Sequence, residues 1–202
     1  MTTSRPKAYT EQEILNRVFD ATRDGLRLSL NDWFQLFRTG EYTIGYPKDG
    51  SAGLSVAANV LMAAPFIVAR PMTIDRLAVG VTTGGAGLAR LGIYNNGTNL
   101  YPGTLLLDAG TVDISAVATV AVTINQALGR GIYWLALVAN IVASYQMWYP
   151  ALALFGMGAS LNDIQGRWKP AFTYAALPDP FTASGSSDGN GGVVFARVLS
   201  LD

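Results

Sequence analysis

The tightest constraint on this chain is a period of two. From residue 51 onward, short runs alternate apolar and small or polar residues and are cut by Gly, Asn and Pro, with no long helical pattern between them. In "TIDRLAVGV" (73–81) Leu77, Val79 and Val81 share one face, and in "LARLGIY" (88–94) Ala89, Leu91 and Ile93 do the same. Residues two apart lie on one side of a strand, so each run predicts a strand with one buried face. "TLLLD", "AGTVDIS" and "ATVAVTI" continue the pattern in short pieces, the last with Val120, Val122 and Ile124 in register. "GIYWLALVA" and "GVVFARVLS" supply longer strands, and "ALALF" and parts of 54–69 add others. Strand following strand without helical crossovers predicts a mainly β protein, an antiparallel β-sandwich or jelly roll.

Charge then divides the chain. Residues 1–50 hold 14 of the 28 charged side chains and all three glutamates, Glu11, Glu13 and Glu41. This sets a short, partly helical N-terminal arm (1–50) apart from a charge-poor sandwich domain (51–202). In the arm, Thr10 stands three residues before Glu13, the spacing of a capping box, and Ile14, Leu15 and Val18 follow at helical intervals, which predicts a helix from about Glu11 to Phe19. Leu26, Leu28 and Leu30 alternate with Arg27 and Ser29 as in a half-buried strand, and "NDWFQLFRTGEY" reads as a second short helix stopped by Gly40. Fifty such residues bury too little to stand alone, so Ile14, Leu15, Val18, Phe19, Leu26 and Leu28 are the candidates for attachment to a larger body.

The composition removes much chemistry. With no Cys there is neither a disulfide nor a thiolate, and with no His there is no Ser/His/Asp triad. "GSSDG" (185–189) matches the spelling of a nucleophile elbow around Ser187, yet it lacks the strand, helix and His that give that motif its mechanism. "TTGGAGLAR" is a turn rather than a phosphate loop. The Asp residues of the body mostly sit beside turn signals, where Asp bonds its own backbone. A glycosidase needs only two carboxylates, so the missing His does not exclude one, but no catalytic residue, metal ligand or cofactor is singled out by these motifs.

Formal net charge is zero, so no nucleic-acid partner is expected. The N-terminus shows no apolar secretion signal. Residues 131–156 are the one stretch that resembles a membrane span, but they carry Asn140, Gln146 and Pro150 and alternate like buried strands, so membrane insertion is not expected. Tyr94 and Tyr101 flank the polar loop that begins with Asn95 and Asn96, and these four are the candidate ligand contacts, as rings offering a face to a sugar beside amides. Core packing is the alternative use of each ring. "SAGLSVAANVLMAAPF" (51–66) is rich in small residues that let another backbone approach, and the Pro-, Gly- and Ser-rich stretch 177–192 reads as a long surface loop.

Residues 71–140 also resemble a β-sandwich module of tailed-bacteriophage virion surface proteins, through Arg90 to Tyr94, Pro102 to Leu106, Asp108 to Val112 and Gly131 to Ala136. Residues 11–30 resemble an N-terminal attachment segment of such proteins. The resemblance implies a non-enzymatic structural protein on the virion, assembled in the host cytoplasm, homo-oligomeric with a trimer favoured, and held by its arm to tail, baseplate or capsid proteins. A trimer would also hide charge-poor flanks that a monomer would expose. Two roles follow. A tail-fibre or host-attachment protein would offer loops 95–101 and 177–192 to a cell-surface glycan. A capsid decoration or head-fibre protein would clamp neighbouring shell subunits. A glycan-binding or carbohydrate-active module is the more distant alternative.

Overall fold

The computed structural model describes residues 37–46, 48–150, 166–182 and 191–202, which belong to one compact unit, Phe37–Asp202. The expected arm helix, the strand through Leu26 and Leu28, most of the second helix and "ALALF" lie outside the described residues. Within them every regular element apart from one 3-10 turn is a strand: β1 (Tyr42–Thr43), β2 (Lys48–Val56), β3 (Met62–Val68), β4 (Met72–Thr83), β5 (Leu88–Asn96), β6 (Pro102–Asp113), β7 (Thr119–Leu128), β8 (Gly131–Ala139), β9 (Ala143–Pro150) and β10 (Phe195–Leu201).

The pairings are nested. β2 pairs β9, β3 pairs β8, β4 pairs β7 and β5 pairs β6, all antiparallel. A long ribbon folded over so that alternate rungs fall into two sheets produces this nesting, and it defines a jelly roll. One sheet runs β3-β8-β5-β6 and the other contains β2, β9, β4 and β7. β10 widens the second sheet. β9 pairs β4 only at Val81 and Thr83, whereas β10 takes the same partner from Met72 to Ala78, and β1 adds to β10. The last strand thus fills the gap where β9 and β4 diverge, and Trp148 bridges to Gly192 just before it.

Between the sheets lie the side chains that the alternation marked. Leu77, Val79 and Val81 of β4 face Ala89, Leu91 and Ile93 of β5, all buried, and Leu135, Leu137, Tyr145 and Met147 join them. Fully burying a Leu, Ile or Val contributes roughly 1.5–3 kcal/mol each. "TLLLD" and "AGTVDIS" form the single twelve-residue strand β6. Gly110 at φ +94° lets the chain pass through a register shift opposite Leu91 and Gly92 without ending the strand.

A second, smaller core lies on the outer face of the four-stranded sheet, under residues 166–182. This strap begins as an edge partner of β3, where the Trp168 and Ala63 backbones exchange N–H···O bonds of 2.9 Å. It ends on β6, where Phe181 N–H donates to Gly103 O at 2.9 Å and Leu105 N–H donates to the Asp179 carboxylate at 2.9 Å. Leu177 and Phe181 are buried against Tyr94, Trp134 and Ala136. The first part of the expected 177–192 loop is therefore packed lining, and 183–190 lie outside the described residues.

Gly92 makes the closest of these contacts possible. A Cβ there would stand 2.2 Å from Leu177 Cδ1 and 2.7 Å from the backbone oxygen of Leu107. Gly92→Ala is expected to cost about 1–3 kcal/mol of unfolding free energy, because the Leu107 carbonyl cannot swing aside as a side chain can. Gly53→Ala, whose new Cβ would meet only Thr82 Oγ1 at 3.6 Å, should stay within about 0.5 kcal/mol in the same urea titration. Equal losses for the two would refute the close strap–sheet contact.

Candidate interaction surface

The four-stranded sheet has both faces covered. The six-stranded sheet has one face on the core and the other turned outward. Pointing outward are Ser51, Gly53 and Ser55 on β2, Ser144, Gln146 and Trp148 on β9, and Ala78, Gly80 and Thr82 on β4. On β7 the exposed set is Thr119, Ala121, Thr123, Asn125 and Ala127, against half-buried Val120, Val122 and Ile124. None of these outward residues is charged. The sheet carries charge beyond these positions. Arg76 holds the outward position before Ala78 on β4, its Nε without a hydrogen-bond partner among the described residues, and the Arg197 guanidinium forks onto the Asp75 carboxylate, with Nε–H donating to Oδ1 at 2.8 Å and Nη2–H to Oδ2. That pairing holds the Asp75 carboxyl below its ordinary range, mainly through the Arg197 hydrogen bonds and against a smaller opposing effect of burial.

This face contains a groove of about 380 Å³. Its floor is Ala78, Gly80 and Thr82 of β4. Tyr42, Trp148 and Phe195 build an aromatic wall, and Val117, Ala118 and Thr119 form the other side. Trp148 and Phe195 meet edge to face with centroids 4.8 Å apart, an arrangement that fixes both rings. Gly80 is bare because a Cβ would come within 3.0 Å of Gln146 Cβ. All residues lining the groove are uncharged.

The two ends of the sandwich differ in character. The register places the β2–β3, β4–β5, β6–β7 and β8–β9 connections at one end, where Val56 pairs Ala143, Thr83 pairs Ser144 and Gly80 pairs Thr119. Those connections (57–61, 84–87, 114–118 and 140–142) contain no charged residue. Two large aliphatic side chains project there, Val117 at 72% exposure and Val142 at 63%. Loops are ordinarily where polar residues collect, so an uncharged loop end is informative. The opposite end carries Arg70, whose Nη2–H donates to Asp202 O at 3.2 Å, and Arg130, whose Nε–H donates to Ala69 O at 2.7 Å.

The candidate ligand residues sit at that second end and are engaged by the protein itself. Tyr94 is fully buried, its hydroxyl donates to Pro178 O at 2.9 Å and its ring meets Phe181 edge-on at 5.1 Å. Asn95 Nδ2–H donates to Thr104 Oγ1 at 3.0 Å, and Asn96 Oδ1 accepts from Trp134 Nε1–H at 3.0 Å. Tyr101 stacks on Trp168 at 4.2 Å. Tyr94 and Tyr101 thus clasp the strap, while Asn95 and Asn96 tie β5 to β6 and β8 within the sheet. The attachment candidates Ile14, Leu15, Val18, Phe19, Leu26 and Leu28 lie outside the described residues. Among the described residues no cluster of three or more acidic side chains could hold a metal ion, and no helix is long and apolar enough to cross a membrane. None of the small residues of 51–66 lines the groove, and its aromatic wall of Tyr42, Trp148 and Phe195 had no signal in the sequence.

No protein-family model matches the chain, and no curated protein matches it.

Two titrations probe this sheet from its two sides. Asp75 ionises more readily in the folded protein than in the unfolded chain, so its contribution is present above about pH 4 and is lost as pH falls through the depressed folded value. Asp75→Asn should lower the melting temperature at pH 6 and converge on the parent at the acid end. On the core side, burial pushes the Tyr145 phenol up to about 12, and its buried hydroxyl has no hydrogen-bond partner among the described residues. The unfolded phenol ionises near pH 10, so this group's stabilisation is complete below about pH 10 and disappears as pH climbs to 12. Tyr145→Phe should therefore match or exceed the parent by roughly 1 kcal/mol at pH 7 and show a shallower alkaline loss in urea melts; a loss of several kcal/mol at pH 7 would show that the hydroxyl is bonded.

Proposed function

We propose that the chain is a non-enzymatic structural protein of the surface of a tailed-phage particle, working as a homo-oligomer, with a trimer favoured, and attached through its N-terminal arm. The observation that carries this reading is the part of the outward face of the six-stranded sheet formed by β2 from Ser51, β9, β7 and β4 from Ala78, where the outward positions are neutral and mostly small and an aromatic groove opens, beside a four-stranded sheet that the chain covers for itself. A soluble sheet face left permanently in water usually alternates with charged residues. A neutral one of this extent suits contact with another protein surface, whose buried centre is likewise depleted of charge. The resemblance of residues 71–140 to virion β-sandwich modules supplies the phage setting.

Within this reading, capsid decoration gains over host attachment. Tyr94, Asn95, Asn96 and Tyr101 spend their rings and amides on Pro178, Thr104, Trp134 and Trp168, which leaves little of them for a glycan. Gold-labelled antibody raised against the purified protein should mark intact particles of the phage that encodes it; label confined to lysate debris would reject the virion assignment. Particles made without the protein should adsorb to host cells at the parental rate and lose infectivity sooner at elevated temperature. Normal heat resistance with adsorption reduced tenfold or more would restore the attachment role.

A further inference from the structure

Resting on the homo-oligomeric reading, we infer that Val142 of one copy seats in the Tyr42/Trp148/Phe195 groove of the next, so that the subunits join knob to groove around a ring.

The knob is built to be rigid. Residues 140–142 turn the chain from β8 into β9, and Asn140 pins that turn to the start of β5: its Oδ1 accepts from Leu88 N–H at 2.8 Å and its N–H donates to Leu88 O at 3.1 Å. Ile141 packs down over the glycine-rich β4–β5 loop, where a Cβ on Gly87 would stand 2.6 Å from Ile141 Cγ1 and one on Gly85 3.2 Å from its Cδ1. The run "TTGGAG", which is no phosphate loop, thus serves to make room for Ile141. With Ile141 folded inward and Asn140 bonded, Val142 is left projecting at 63% exposure from a fixed turn. An aliphatic side chain held this way loses little conformational freedom on docking.

The groove matches it in size and chemistry. About 380 Å³ is at the small end of binding pockets and takes a valine with its flanking backbone. Neither the groove lining nor the four loops at the knob end carries a charge. A partner bearing Lys or Glu would have to desolvate it there with no counter-charge to meet, whereas a neutral aliphatic turn buries without that penalty. The same end lacks Trp, Tyr, Lys and Arg, the residues that hold a protein at a lipid headgroup layer, which argues against a membrane as the occupant. Val117 is itself part of the groove wall, so it frames the incoming turn rather than acting as the knob.

Knob and groove are different surfaces of one chain. Their contact is therefore heterologous, each copy giving one and receiving one, and such contacts close into rings when the rotation allows. Light scattering coupled to size exclusion on the full-length protein should give a trimer mass for the parent and a monomer mass, one third of it, for either Val142→Lys or the groove-filling Thr82→Trp. Mixed together, these two variants retain one intact knob and one intact groove between them and should form a species of dimer mass. A parent oligomer that persists in both variants, or variants that stay monomeric when mixed, would overturn the knob-and-groove contact while leaving the homo-oligomer standing. A monomeric parent would overturn the homo-oligomeric reading and this contact together, and co-flotation of that monomer with phosphatidylcholine vesicles would assign the apolar end to lipid instead.

Discussion

A β-sandwich has four sheet faces and its core takes only two of them, so what becomes of the other two decides what kind of protein it is. Here the two outer faces are treated in opposite ways. On the four-stranded sheet, residues 166–182 cross from the β3 edge to β6 and bury Leu177 and Phe181 over Tyr94, Trp134 and Ala136. On the six-stranded sheet, the outward positions of β2 from Ser51, of β7, of β9 and of β4 from Ala78 are neutral and, apart from Trp148 and Gln146, small, and a groove there is lined by aromatic rings and short aliphatic, hydroxyl or amide side chains. The covered side is a matter of stability; the other side leaves neutral positions and a groove open at the surface.

Period-two alternation made the main core readable, because Leu77, Val79, Val81, Ala89, Leu91 and Ile93 had only one face to choose and all six are buried between the sheets. It also placed Tyr94 opposite Ile93, facing away from that core. What alternation could not reveal is that this outward side has a cover of its own. The strap that buries Tyr94 carries Trp168, Phe172, Tyr174, Leu177 and Phe181, but it is broken by three prolines and its contacts span more than sixty positions in sequence. No local pattern therefore says which surface it covers. The break expected within β6 fails for a different reason: Gly110 punctuates a sequence as a turn does, yet in an antiparallel pair a single left-handed residue can be absorbed as a bulge while the ladder continues.

The groove was not legible. The small-residue run 51–66 contributes nothing to its lining, and it unites β1, β4, β9, β10 and the β6–β7 connection, with a geometry that depends on where β10 enters the sheet. That entry is a consequence of divergence between β9 and β4, which no local pattern encodes. Phe195 shows the difficulty: in "VVFARV" it occupies a strand position whose outward side looks exposed until Trp148 and Ile44 are brought against it.

Charge depletion and topology then reinforce one another. Nesting β2 with β9, β3 with β8 and β4 with β7 sends four connections to one end and three to the other, and the sequence puts Arg70 and Arg130 only in the second group. The two ends accordingly differ, one bonded through arginine to its own carbonyls and the other presenting Val117 and Val142. The first end is not free of charge, since Asp113 closes β6 there, exposed, with its Oδ1 accepting from Ser115 N–H at 2.8 Å. A copy docked as proposed through Val142 and the groove would still meet no charge among the four loops or the groove lining. An assembly built in this way has an interface energy set by apolar area and shape rather than by ion pairing, and should be correspondingly insensitive to salt.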